Sequence, residues 1–215
     1  MNKKISSNIL KEQISMILGK SIEAITANDL DNIESISLKK IDFMDNETDC
    51  NIKDLIELKN LNLCTLFEFD LDDETIKDIN KIEKLEFIHF DFCNFYTEKI
   101  WFNSNVEDAY FNMCENVSFK KLQNTELTSI ALIGNLANIQ ELDIIQLIKA
   151  DKLKELSIHN YNIKNIEKIL EVAPQLESLN IDGSKVEEGK LQNLMNKIKI
   201  SHKEDFCLGE EPIWD

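Results

Sequence analysis

Residues 152–184 read KLKELSIHNYNIKNIEKILEVAPQLESLNIDGS, and this stretch decides the fold because it holds one motif twice. Leu153, Leu156 and Ile158 follow the spacing LxxLxL, and Leu176, Leu179 and Ile181 repeat it 23 residues later. In an extended segment successive side chains alternate faces. The fourth and sixth positions therefore point inward, and the third, fifth and seventh point out. Between the copies, Ile163, Ile166, Ile169 and Leu170 switch to helical spacing before Pro174. One unit is thus a strand, a turn and a helical return.

Toward the N-terminus the motif recurs as Leu127, Ile130, Leu132; Val106, Ala109, Phe111; Leu85, Ile88, Phe90; Leu58, Leu61, Leu63; and Ile33, Ile36, Leu38. In chain order the starts lie 25, 27, 21, 21, 26 and 23 residues apart, within the ~20–29 residues of leucine-rich repeats. A single coil cannot bury its own apolar face, so stacked neighbours must share a core. The expected fold is α/β: a leucine-rich-repeat solenoid with a curved parallel sheet on the concave side and helices and irregular turns on the convex side. The ninth position, where a small polar group satisfies the turn backbone, holds Cys93, Cys114 and Asn135, whereas Ile41, Leu66, Tyr161 and Ser184 depart from it. Convex helices are expected at Ile52, Leu55, Ile56; at Ile76, Ile79, Ile82 after Asp72 and Asp73; and at Val117, Phe119, Leu122. Ile139, Leu142 and Ile144 lie too close to their neighbours to form another coil and are assigned to a convex helix.

Terminal coils need lids. Ile5, Ile9, Ile14, Ile17 and Leu18 form an apolar stripe at roughly helical spacing, and Leu191, Leu194, Met195 and Ile198 predict a closing helix. The organisation read from this is an N-terminal cap over 1–32, a solenoid over 33–200 and an acidic cap or tail over 201–215, which carries Phe206, Ile213 and Trp214.

The stretch LGKSIEAITANDLDNIESISL, Leu18 to Leu38, resembles the lead-in of bacterial cytosolic and internalin-like leucine-rich-repeat proteins, where a helix ends, a short turn follows and the first strand begins. That resemblance implies protein binding through the concave sheet.

Composition narrows the function. The 215 residues are 43% hydrophobic, and 24 basic residues face 40 acidic ones for a net charge of −16. Such a charge disfavours nucleic acid and anionic membranes and favours a basic protein partner. Five scattered cysteines without a CxxC pair indicate neither a disulfide framework nor a zinc site. With no secretory signal and no run of 18 apolar residues, the expected location is the cytoplasm.

The outward positions supply the candidate partner-binding residues: Phe87, His89 and Asp91; Asp108, Tyr110 and Asn112; Ile133; Glu155 and His159; Asn180 and Asp182. Aromatics ringed by carboxylates and amides have the make-up of an interface hot spot. Phe87 and Tyr110 have a plainer reading as a cross-strand packing pair. The same register turns Cys64 outward. His89 and His159 lie three strands apart, about 14 Å, too far to share a metal. No nucleophile elbow, phosphate loop or HExxH occurs, so no catalytic residue, cofactor or metal is expected. Asp72, Asp73 and Glu74 read as carboxylates drawn to a helix N-terminus. The expected function is non-catalytic binding of a protein, in its sharper form as an inhibitor or immunity-type protein. The alternatives are the substrate-recognition part of an effector or enzyme system, and a self-associating scaffold.

Overall fold

The computed structural model of the protein describes residues 5–40, 51–122, 126–147 and 150–203. Ile41, Cys50, Cys207 and the acidic tail beyond residue 203 lie outside them. Thirteen strands occur in the described residues: β1 Ser35–Lys39, β2 Leu63–Phe67, β3 Asp70–Leu71, β4 Phe87–Asp91, β5 Asn94–Phe95, β6 Asp108–Asn112, β7 Ser129–Ile133, β8 Gln140–Asp143, β9 Glu155–His159, β10 Tyr161–Lys164, β11 Ser178–Asn180, β12 Lys185–Val186 and β13 Lys199–Ser201. The α-helices are α1 Asn8–Leu18, α2 Ala27–Leu30, α3 Asp73–Ile79 and α4 Ile169–Val172.

Eight strands build one parallel sheet in the order β1-β2-β4-β6-β7-β9-β11-β13. The repeat template accounts for seven. The eighth, β13, carries no LxxLxL and extends the sheet past the last copy. Inside, the sixth-position residues Leu38, Leu66, Phe90, Phe111, Leu132 and Ile158 are buried side by side. Phe90 stacks on Phe111 at 5.3 Å and meets Phe95 edge-on at 5.1 Å, giving the middle of the core an aromatic spine.

Three ninth-position side chains secure their coil to the one before, whereas Asn135 accepts locally from the Ala137 amide. The Cys93 thiol donates to the Leu66 carbonyl and the Cys114 thiol to the Phe90 carbonyl, both at 3.2 Å. Ser184, a departure from the consensus, does the same work: its hydroxyl donates to the Ile158 carbonyl at 2.9 Å and accepts from the Tyr161 amide.

Three expectations are corrected, besides that of a helix at Val117, Phe119 and Leu122, where the backbone is irregular at Val117, a turn at Phe119 and a bridge from Leu122 to Ile100. In the second repeat the register is Leu61, Cys64, Leu66, three residues beyond Leu58, Leu61, Leu63. Cys64 and Leu66 pair with Ile88 and Phe90 of β4, so Cys64 is buried and does not face outward. Both triplets contain Leu61, and the sheet selects the one whose fourth and sixth side chains complete the buried rows. Second, Leu142 lies in β8 and Ile144 opens a 3₁₀ turn, with no helix at either. β8 pairs with β10, and β10 with β12, in a second parallel sheet behind the first. β3 and β5 pair in the same way in the earlier coils, and helical returns follow in both halves, the 3₁₀ turn Ile52–Glu57 and α3 early and the 3₁₀ turn Ile166–Lys168 and α4 late. Third, residues 189–197 form successive turns with mixed i→i+3 and i→i+4 bonds in place of a regular helix, with Leu191 and Leu194 buried and Met195 exposed.

At the front, α1 buries Ile9, Leu10 and Ile14 and leaves Ile17 exposed. The buried Asp54 carboxylate accepts from the Ser6 and Ser7 amides at 2.6 and 2.7 Å, fixing the helix start to the 3₁₀ return of the first coil. This satisfies backbone donors that a helix N-terminus leaves open.

Candidate functional site

Strand pairing aligns the outward side chains in three rows across the open face. Phe87, Asp108, Ser129 and Glu155 are neighbours in the first row; His89, Tyr110, Ala131 and Ser157 in the second; Asp91, Asn112, Ile133 and His159 in the third. The strands alternate because Ile88, Phe90, Ala109 and Phe111 must stay inside, which leaves the residues between them no other direction.

In the middle of the face the groups are half-buried and incompletely paired. Phe87 is 36% exposed. The His89 and Tyr110 rings lie 5.3 Å apart at a 50° tilt, so Tyr110 packs on His89, while the strand neighbour of Phe87 is Asp108. Asn112 donates to the Asp91 carboxylate at 2.9 Å. Burial pushes the Asp108 carboxyl above the ordinary range and Glu155 adds to this, against His89 and a hydrogen bond from Ser129. Burial also raises the Tyr110 phenol, with help from Asp91. Among the described residues no ion pair reaches Asp91, Asp108 or Glu155.

The C-terminal corner is different. His159 and Asp182 are buried. The His159 Nδ1 lies 3.0 Å from the Asp182 carbonyl, and burial holds its imidazole below the usual histidine range. The Asp182 carboxylate accepts from the Ser201 hydroxyl at 3.0 Å and the Lys203 amide at 2.7 Å. Asn180 accepts from the Asp182 amide at 3.2 Å. The structure thus brings Phe87, His89, Asp91, Asp108, Tyr110, Asn112, Ile133 and Glu155 onto one accessible surface and folds His159 and Asp182 into a closing network.

Phe67 and Phe92 are missing from the outward residues read from the sequence. The corrected second register places Phe67 beside Asp91, its ring is 5.3 Å from that of Phe92, and the Lys39 ammonium lies 4.4 Å over it. Phe92 is 47% exposed with φ 52°. Glu68, Phe92, Met113, Asn160 and Gly183, the eighth residue of five repeats, all have positive φ where each strand ends. That conformation suits glycine or asparagine; a phenylalanine there is an outlier.

For metal chemistry, no group of three His, Cys, Asp or Glu residues close enough to hold an ion occurs among the described residues. Asp72 accepts from the Thr75 amide and hydroxyl, which keep its carboxyl below the usual range, so it caps α3. No described helix is long and apolar enough to cross a membrane.

No family profile and no curated protein matches the sequence. Among solved structures, internalin C2 of Listeria monocytogenes is similar over 94% of this chain and 96% of its own, with a TM-score of 0.53 and 16% identity. Listeria monocytogenes InlP matches over 92% of this chain and 51% of its own at a TM-score of 0.43 and 14% identity. The first likeness shows the fold: an internalin-like leucine-rich-repeat solenoid.

Proposed function

We propose that this protein is a non-catalytic interaction module that holds a basic protein against the open face of its main sheet, between β4 and β9. One observation carries the reading: Asp91, Asp108 and Glu155 sit beside Phe87 and Tyr110, and no cation of the described chain pairs with them. Exposed Phe87 and half-buried Tyr110 supply contact area, and the half-buried carboxylates of Asp91 and Asp108, which have already lost water, gain most from an incoming positive charge. The net charge of −16 steers a basic partner toward the surface and opposes self-association. An inhibitor or immunity-type role follows from the same complementarity. The thiols of buried Cys93 and half-buried Cys114 hold the coil ladder, which suits a reducing cytoplasm.

The test is capture from native lysate with the wild-type chain, a Phe87→Ala/Tyr110→Ala variant and a Tyr96→Ala/Ile145→Ala control off the open face. The reading expects a protein retained by wild type and control, lost by the first variant and eluted by salt. Equal recovery by all three, unaffected by salt, contradicts it.

A further inference from the structure

Near the middle of the face the strand register sets a small residue beside a ring and two carboxylates, and the geometry points to a guanidinium subsite there: an arginine side chain of the partner lies over Ala131, against the Tyr110 ring, between the carboxylates of Asp108 and Glu155. This rests on the docking reading above and names the chemistry of its anchor.

The subsite follows from residue size. Ala131 is the strand neighbour of Tyr110 on one side and Ser157 on the other, so a methyl group floors a gap between a ring and a hydroxyl. One position earlier, Ser129 stands between Asp108 and Glu155 in the same register. Two strand spacings separate those acidic residues, roughly 9–10 Å between backbones, and their charges still interact. A point-like ammonium satisfies one carboxylate at a time. A planar guanidinium presents donors along two edges, can bridge two acceptors and stacks its face on an aromatic ring. Tyr110 is held for that contact from behind by His89.

The charge facing the subsite is one-sided. Asp108 and Glu155 border it, Asp91 adds to the field at Tyr110 from the next row, and His89 faces Asp108 from β4. Asp91 lies in the third row and is bound by Asn112, whereas Asp108, which takes only the Ser129 hydroxyl, and Glu155 flank Ser129 in the first row, so the first-row pair supplies the ligands. A second copy of the chain is the wrong occupant, because all 24 basic residues of the sequence are lysines.

The probe is acetyl-arginine methylamide, titrated into the 15N-labelled full-length protein at low salt, with acetyl-lysine and acetyl-citrulline methylamides as comparisons. The expected result is saturable amide shifts at Ser129, Ala131 and Ser157 with the arginine probe, binding about fivefold weaker with lysine and absent with the neutral citrulline. Asp108→Asn should weaken the arginine probe about tenfold with the spectrum otherwise folded, and Asp91→Asn should change it less than twofold. Equal affinity for arginine and lysine, shifts centred away from Ala131, or full affinity in Asp108→Asn overturns the subsite. The probe needs no partner, so silence here together with lysate capture that depends on Phe87 and Tyr110 retires the subsite alone.

Discussion

The middle of the open face and its C-terminal corner carry the same residue types and end differently. His89, Asp91 and Asp108 are half-buried without a cation, Asp91 and Asp108 each taking one neutral side-chain donor, Asn112 and Ser129, whereas His159 and Asp182 are buried and tied to the strand that closes the sheet. The next stretch of chain makes the difference. At the corner, β13 and the residues after it bring Ser201 and the Lys203 amide to Asp182, and His202 to the Ser184 carbonyl at 3.1 Å. Beside Tyr110 and Asn112, β7 brings Ala131 and Ile133, which offer no side-chain donor, and beside Asp108 it brings only the neutral hydroxyl of Ser129. A carboxylate on such a row is structural or available according to what the adjoining strand supplies.

The largest expected effect is at the corner. Asp182→Ala strands the Ser201 hydroxyl and the Lys203 amide and should cost about 2–3 kcal/mol in urea unfolding, with loss of order around β13. A change of under about 0.5 kcal/mol would place the corner in the same class as exposed positions. The pH dependence comes next. His159 is held below its ordinary 6.5 by burial, so the unfolded chain binds the proton first as pH falls. Stability is complete above 6.5 and declines as pH drops toward the lowered folded value; His159→Gln should flatten that decline, and an unchanged slope would assign it elsewhere.

In the middle, by contrast, substitutions should barely touch folding. Phe87→Ala/Tyr110→Ala should lower stability by no more than about 1 kcal/mol while abolishing capture, and a larger loss would make the pair core. The smallest effect has the opposite sign. Burial raises the folded pKa of Asp108, so its neutral form favours folding at low pH and that benefit is lost as pH rises through the folded value. Asp108→Asn removes the penalty at neutral pH, and its thermal midpoint should match or exceed that of wild type; a lower midpoint contradicts a carboxylate whose burial outweighs its bond from Ser129.

The period was legible because the first, fourth and sixth residues of each coil are the ones the sheet buries, as at Leu153, Leu156 and Ile158. The register was not legible where a cysteine takes the place of a leucine: Cys64 serves as the fourth residue, but Leu58, Leu61 and Leu63 match the template equally well. Ile139, Leu142 and Ile144 have a spacing that a strand and a helix both tolerate, and only pairing with β10 decides between them. Phe92 was hidden because its residue type argues against the left-handed backbone it adopts. The middle of the site was readable from alternation alone. The closing of the corner was not, because it depends on β13, three residues without the motif.

Site-directed photo-cross-linking in the native lysate asks most directly which surface meets the partner. Phe87→p-benzoylphenylalanine and Tyr110→p-benzoylphenylalanine on the open face should each cross-link the same basic protein. The probe at Tyr96 or Ile145, off that face, should give none. A product from Tyr96 or Ile145 with none from Phe87 and Tyr110 would move the interface off the open face of the sheet and contradict the proposed function.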